Sequence, residues 1–186
     1  MRANDPRQAK GVSFVELVKL LKNHRRKQPF SGLSAAAEGL FNQHLLPTAW
    51  YPFPGVAELI VLAHRELLRG SAEGALQMGI AGGTNAFRTY HRSFIRPGDP
   101  LASLLAMRRT WPLYFDFGEL TSSQDGERSV VFVLEGYPDI SEAHGPMVVG
   151  WHRAGGLVAG AKGLRGEIVE SPWQDGSRRL VHRVEF

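Results

Sequence analysis

Residues 129–170 leave this chain the fewest options. Ser129-Val130-Val131-Phe132-Val133-Leu134 is a nearly unbroken run of β-formers, the pattern of a strand buried on both faces. A turn through Gly136-Tyr137-Pro138 follows. A helix over about 142–161 then places Met147, Trp151, Ala154 and Val158 on one stripe, and residues 166–171 read as strand again. Asp125-Gly126 and Asp175-Gly176 sit just outside the two ends, and both are strong turn dipeptides. Each therefore predicts a neighbouring strand folded back by a hairpin, over 113–120 on one side and 179–186 on the other. The order β-β-α-β-β predicts a largely antiparallel sheet covered by helices on one side.

The chain before this unit has helical periodicity. Ser13 and Glu16 form a capping-box pattern ahead of a helix over 14–26, with Phe14, Leu17, Val18 and Leu21 at core spacing. A second helix spans 34–46 and stops at Pro47. Residues 47–54 hold three prolines and cannot be regular helix, yet Trp50, Tyr51 and Phe53 give them enough apolar area to pack down. A third helix covers 55–68, and a fourth, capped by Ser71, covers 72–94. Gly74, Gly79, Gly82 and Gly83 within the fourth either permit close helix approach or break it near Gly82-Gly83. Asp99-Pro100 opens a fifth helix that ends near Trp111-Pro112. Residues 1–11 are polar and read as loose. The fold class is α+β in a single domain over 1–186, with a helical lobe at about 11–110 and a sheet-containing lobe at about 111–186.

Several function classes fall away. There is no cysteine, which excludes disulfides, thiolate metal sites and thiol catalysis. The seven histidines are scattered, without compact metal-ligand spacing. Gly79-Ile80-Ala81-Gly82-Gly83-Thr84 lacks the Gly-Lys-Ser/Thr ending and the preceding strand of a phosphate loop. No Gly-x-Ser-x-Gly elbow is present. Asp139 and Glu142 suit a helix start better than an acid–base pair. The residues thus point away from an enzyme. No apolar run is long enough to span a membrane and no leader-like segment opens the chain, so a cytoplasmic location is the expectation.

The net charge of +4 allows contact with an anion, but it is modest. His24-Arg25-Arg26-Lys27 reads as a solvated helix end. Arg88, Tyr90, His91, Arg92 and Arg96 form a second cationic stretch, either a solvated edge or a face for an anionic ligand or partner. Nucleic acid ranks low among the partners.

With Tyr137 closing the second strand and the 145–161 helix behind it, the order of elements resembles the fold shared by H-NOX haem sensors, 4-vinyl reductase domains and TRAPP trafficking subunits. The segment Leu46-Pro47-Thr48-Ala49-Trp50-Tyr51-Pro52 also resembles a group of uncharacterised myxobacterial proteins. The resemblance spans about 11–186. It implies a proximal histidine at or near Leu104–Leu105, where the helix over 100–110 has none. It implies a Tyr-x-Ser-x-Arg propionate clamp at residues 137–141, where Tyr137 is kept and the serine and arginine are not. The expectation is therefore a sensor or adaptor domain without haem or any other cofactor. It would bind an apolar small molecule or a protein partner, with Trp50, Tyr51, Phe53, Leu104, Leu105, Trp111 and Tyr137 lining the site. The alternatives are a filled-core homodimer joined through the glycine-rich fourth helix, and a nucleic-acid binder using Arg25, Arg26, Lys27 and the 88–96 stretch.

Overall fold

A computed structural model describes residues 7–26, 32–137 and 140–186. The expectations for residues 1–6, Lys27, Pro138 and Asp139 lie outside the described residues. The chain divides into two compact units, one of residues 1–70 with 112–117 and one of residues 71–111 with 118–186. The division does not follow the change from helical to strand pattern near residue 110, because the fourth and fifth helices belong with the sheet.

In the first unit, β1 (Gln8–Lys10) pairs antiparallel with a later strand, so the segment read as loose is ordered against a partner. α1 (Val15–Arg25) buries Leu17, Val18 and Leu21. The expected capping box does not form. The Ser13 hydroxyl donates to the Lys10 carbonyl at 2.7 Å inside a 3-10 turn, and Glu16 pairs with Lys19 instead. α2 (Ala35–Asn42) is capped by Ser34, whose Oγ accepts from the Ala37 amide. It stops four residues short of expectation, since Gln43 is already extended and the Leu46 amide donates to the Tyr51 hydroxyl at 2.7 Å.

The proline-rich segment then becomes β2 (Trp50–Pro52), with Ala9 opposite Tyr51. α3 (Phe53–Glu66) starts with Pro54 in its first turn, where a missing amide costs nothing. Phe53 is fully buried and meets Phe115 edge-on and Phe117 at 4.6 Å. The strand expected over 113–120 is therefore two things. Residues 112–117 return to β1, where the Lys10 amide donates to the Tyr114 carbonyl at 2.7 Å. Gly118, at φ +72°, then turns the chain away into the next strand.

The second unit comprises α4 (Ala72–Thr89), α5 (Pro100–Ala106), β3 (Glu119–Gln124), β4 (Ser129–Glu135), α6 (Gly145–Val158), β5 (Arg165–Glu170), the short α7 (Pro172–Asp175) and β6 (Arg179–Glu185). Four strands form one antiparallel sheet in the order β3-β4-β6-β5. The first hairpin turns at Asp125-Gly126 as its chemistry requires. At the second, α7 ends on Gly176 in the left-handed conformation. Val130, Phe132 and Leu134 of β4 and their partners Val184, His182 and Leu180 of β6 are all essentially inaccessible. Val131 and Val133 are only half-buried, so β4 is covered on one face and not on both. The apolar run exceeds what its burial demands.

α6 closes the covered face, and α4 packs against α6. The glycines of α4 do not break it. An added Cβ at Gly79 would lie 2.1 Å from the Met147 carbonyl oxygen, and one at Gly83 would lie 2.7 Å from Ala154 Cβ. Gly150 returns the arrangement from α6, with Leu76 O 2.1 Å from its would-be Cβ. The two backbones touch where side chains are absent. α4 ends at Thr89 and not near residue 94; residues 92–94 form a separate 3-10 turn.

Candidate functional site

α5 opens as its sequence predicts: the Asp99 carboxylate accepts from the Ala102 amide at 2.9 Å, and Pro100 occupies the first turn. Ser103 is fully buried and ties the preceding loop to this helix. Its hydroxyl accepts from the Arg96 amide and donates to the Asp99 carbonyl, both at 2.8 Å. Leu104 is also fully buried, 3.6 Å from where a Cβ on Gly156 of α6 would stand. Met107 fills the space left by Gly155. The inner side of α5 is thus occupied by apolar packing, and no histidine lies between Pro100 and Thr110.

Beyond α5 the chain continues as a 3-10 segment over Met107–Leu113, and Trp111 meets Tyr137 edge-on with ring centroids 5.8 Å apart. Tyr137 is buried, and its Oη is hydrogen-bonded to His144 Nδ1 at 2.5 Å. Burial alone pushes His144 down to about 4, so its ring is neutral at physiological pH. The tyrosine that the resemblance places in a propionate clamp has its hydroxyl engaged by the residue that precedes α6.

A second polar pair lies under the sheet. His152 Nδ1 and His182 Nε2 are 2.8 Å apart, and both rings stack on Phe132 with centroids at 4.1 and 5.1 Å. His182 Nδ1 is buried without a hydrogen-bonding partner among the described residues. An orphaned buried N–H is costlier than an orphaned acceptor. The favoured tautomer therefore has His182 Nε2–H donating to His152 Nδ1 and leaves a bare lone pair at His182 Nδ1. Burial lowers His182 to about 3. It also takes His152 well below its ordinary value, and the neighbouring His182 lowers it further. Among the described residues no three histidine, aspartate or glutamate side chains gather into a metal-binding group.

The seven residues expected to line a site divide between the units. Trp50 is exposed, Tyr51 is hydrogen-bonded to the Leu46 amide, and Phe53 lies in the aromatic cluster of the first unit. Leu104, Trp111 and Tyr137 are core residues of the second unit, and Leu105 is half-buried on the outer side of α5. Trp111 and Tyr137 are brought together; Leu104 and Leu105 face opposite ways. Sequence reasoning missed the histidine pair, although the signal was present. Alternation along β6 puts His182 in phase with Leu180 and Val184, and helical spacing puts His152 in phase with Val148 and Gly155.

No protein-family profile matches this sequence, and no curated protein is similar to it. Solved structures are. An Fe(II) unliganded H-NOX protein mutant from K. algicida matches with a TM-score of 0.63 at 14% identity, covering 95% of each chain. A mutant of T. tengcongensis H-NOX gives 0.58 at 13% identity over 95% of this chain and 97% of that one. An oxygen-binding H-NOX domain related to soluble guanylate cyclases gives 0.57 at 12% identity over 95% of this chain and 94% of that one. The fold is H-NOX-like, a mixed helical and antiparallel-sheet architecture. The residues do not fit a haem held in the manner the resemblance implies. The stretch at or near which the resemblance places the axial histidine holds Leu104 and Leu105, neither of which can ligate iron, and the Tyr137 hydroxyl already has a partner.

Proposed function

We propose that this chain is a non-enzymatic, cytoplasmic sensor or adaptor domain that uses the H-NOX-like fold without haem. It would respond to a protein partner or an apolar small molecule. The observation that carries this reading is the stretch Leu104–Leu105: at or near the place where the resemblance calls for an imidazole both side chains are aliphatic, and Leu104 is packed toward Gly156 with no accessible surface. The kinship to 4-vinyl reductase domains, TRAPP subunits and the myxobacterial group belongs to the same proposal. So does the absence of catalysis, which rests on the lack of any acid–base or nucleophile constellation in the sequence. No described helix is long and apolar enough to cross a membrane.

Native mass spectrometry of protein expressed in haem-replete cells, read beside the denatured mass and the visible absorption spectrum, tests the proposal. The expected result is no Soret band together with a retained apolar molecule or protein partner. Stoichiometric haem with a coordinated iron spectrum would overturn the reading.

A homodimer is the second reading. Gly79 and Gly83 are used within the chain by α6, but Gly82 is exposed with nothing within 4 Å of its would-be Cβ. Gly82→Leu should then halve the molar mass in sedimentation; an unchanged mass excludes that surface.

A further inference from the structure

The outer side of α5 carries a concave feature that the proposed function does not require. Between the 3-10 turn Arg92–Phe94 and α5 lies an open cleft of about 310 Å³, with Phe94, Ala102 and Leu105 giving it an apolar lining and Arg96, Arg108 and Arg109 supplying charge. That volume is at the lower end of the range of small-molecule sites.

The charge here is uncompensated. Residues 88–109 contain five arginines, at 88, 92, 96, 108 and 109, and a single acidic residue, Asp99. The Asp99 carboxylate accepts from the Ala102 amide at the start of α5. None of the five guanidinium groups makes an ion pair among the described residues. Elsewhere Arg179 meets Glu170, Arg183 meets Asp125 and Arg25 meets Glu38. Of the five, Arg96, Arg108 and Arg109 line the cleft; like charges gathered around one concavity repel, and an anion among them relieves the repulsion.

The cleft is also preformed. Buried Ser103 fixes the Arg96 backbone to α5 through the 2.8 Å bond from the Arg96 amide. The loop is held from the other side by the Gly98 amide, which donates to the Ala159 carbonyl at 2.8 Å. Arg108 lies along the wall, donating to the Leu105 carbonyl at 3.1 Å and reaching Ser122 Oγ at 3.5 Å. Arg96 and Arg109 are exposed and retain all their donors. A guanidinium pair beside an apolar lining matches a molecule that is charged at one end and flat and apolar at the other.

We propose that this cleft binds a small organic anion, a flat apolar body bearing a phosphate or carboxylate, with Arg96 and Arg109 on the anionic group and Phe94 and Leu105 against the body. The site stands on the cleft alone and holds whether or not the domain works without haem.

Backbone amide NMR titration with phenyl phosphate tests it, with inorganic phosphate and benzyl alcohol as the two halves of the ligand. Phenyl phosphate should shift the amides of residues 94–96 and 102–109 saturably, with at least tenfold higher affinity than either half. Arg96→Ala/Arg109→Ala should weaken it at least tenfold at unchanged thermal midpoint, and Arg96→Lys/Arg109→Lys should recover part of the loss. Arg25→Ala, in the first unit, should change nothing. Inorganic phosphate binding as well as phenyl phosphate would overturn the proposal by reducing the cleft to a generic cationic surface. Unchanged affinity in the double alanine variant would also overturn it, as would a DNA duplex shifting residues 88–96 while phenyl phosphate does nothing.

Discussion

Lowering the pH from 7.5 to 5.0 should remove much of the stability of the second unit. His144, His152 and His182 are all inside it, and burial lowers all three; His144 falls to about 4 and His182 to about 3. The unfolded chain, with histidines near the ordinary value of about 6.5, binds protons as pH falls below that value while the folded chain does not. Stability contributed by keeping these rings neutral is therefore complete above about pH 7 and is lost as pH falls toward the folded values. At pH 5 each unfolded histidine gains about 1.5 pH units of protonation free energy, or about 2 kcal/mol. The figure does not depend on how far below about 4 the folded value lies. His144 and His182 together give about 4 kcal/mol, a large part of the stability of a typical domain, and His152 adds to the loss in the same direction.

Urea unfolding followed by tryptophan fluorescence measures this. Of the four tryptophans only Trp50 is in the first unit, so Trp50→Phe leaves Trp111, Trp151 and Trp173 reporting on the second. With a slope of about 2 kcal/mol per molar urea, the midpoint should fall by at least about 2 M between the two pH values. His152→Leu/His182→Leu should remove much of that shift while lowering stability at pH 7.5 less than the wild type loses at pH 5. A midpoint that moves by less than about 0.5 M would mean that these rings are hydrated or charged in the folded protein, and would refute the buried-pair geometry.

The α4–α6 contact should distinguish two glycines three residues apart. Gly79→Ala drives a Cβ against the Met147 carbonyl and should cost about 1–3 kcal/mol, whereas Gly82→Ala meets nothing and should gain up to about 1 kcal/mol of helix propensity, both read by thermal unfolding. Tyr137→Phe deletes the hydroxyl that meets His144 and should cost about 1–3 kcal/mol in the same assay. Ser103→Ala releases the Arg96 amide, and amide hydrogen exchange at Arg96 should speed up by at least tenfold, with exchange in β4 unchanged.

Much of the architecture was legible because it rests on local rules. Asp125-Gly126 makes a hairpin wherever two strands flank it. Asp99-Pro100 and Ser71 start helices by satisfying the first free amides, and the period-2 and period-3.6 patterns of β6 and α6 set their buried faces. Three of the failures share a cause. Ser13 had the right spacing for a cap but lies in a 3-10 turn, β1 is a short polar strand that exists only because β2 and residues 112–117 pair with it, and Gly118 divides what reads as one strand. In each case a partner distant in sequence overrode the local preference.

The candidate site shows the same division. That α5 offers no imidazole, that Tyr137 stands without the serine and arginine of a propionate clamp, and that cysteine chemistry is closed to this chain follow from residue identity alone, because a missing ligand atom is missing in any conformation. Tertiary packing decided that Leu104 turns inward to Gly156 while Leu105 turns outward to a cleft, that Tyr137 meets His144, and that His152 and His182 share one hydrogen bond beneath Phe132. Those pairings join residues up to 52 positions apart, as between Leu104 and Gly156. They depend on where helix and sheet faces come to rest against each other, which no local pattern encodes.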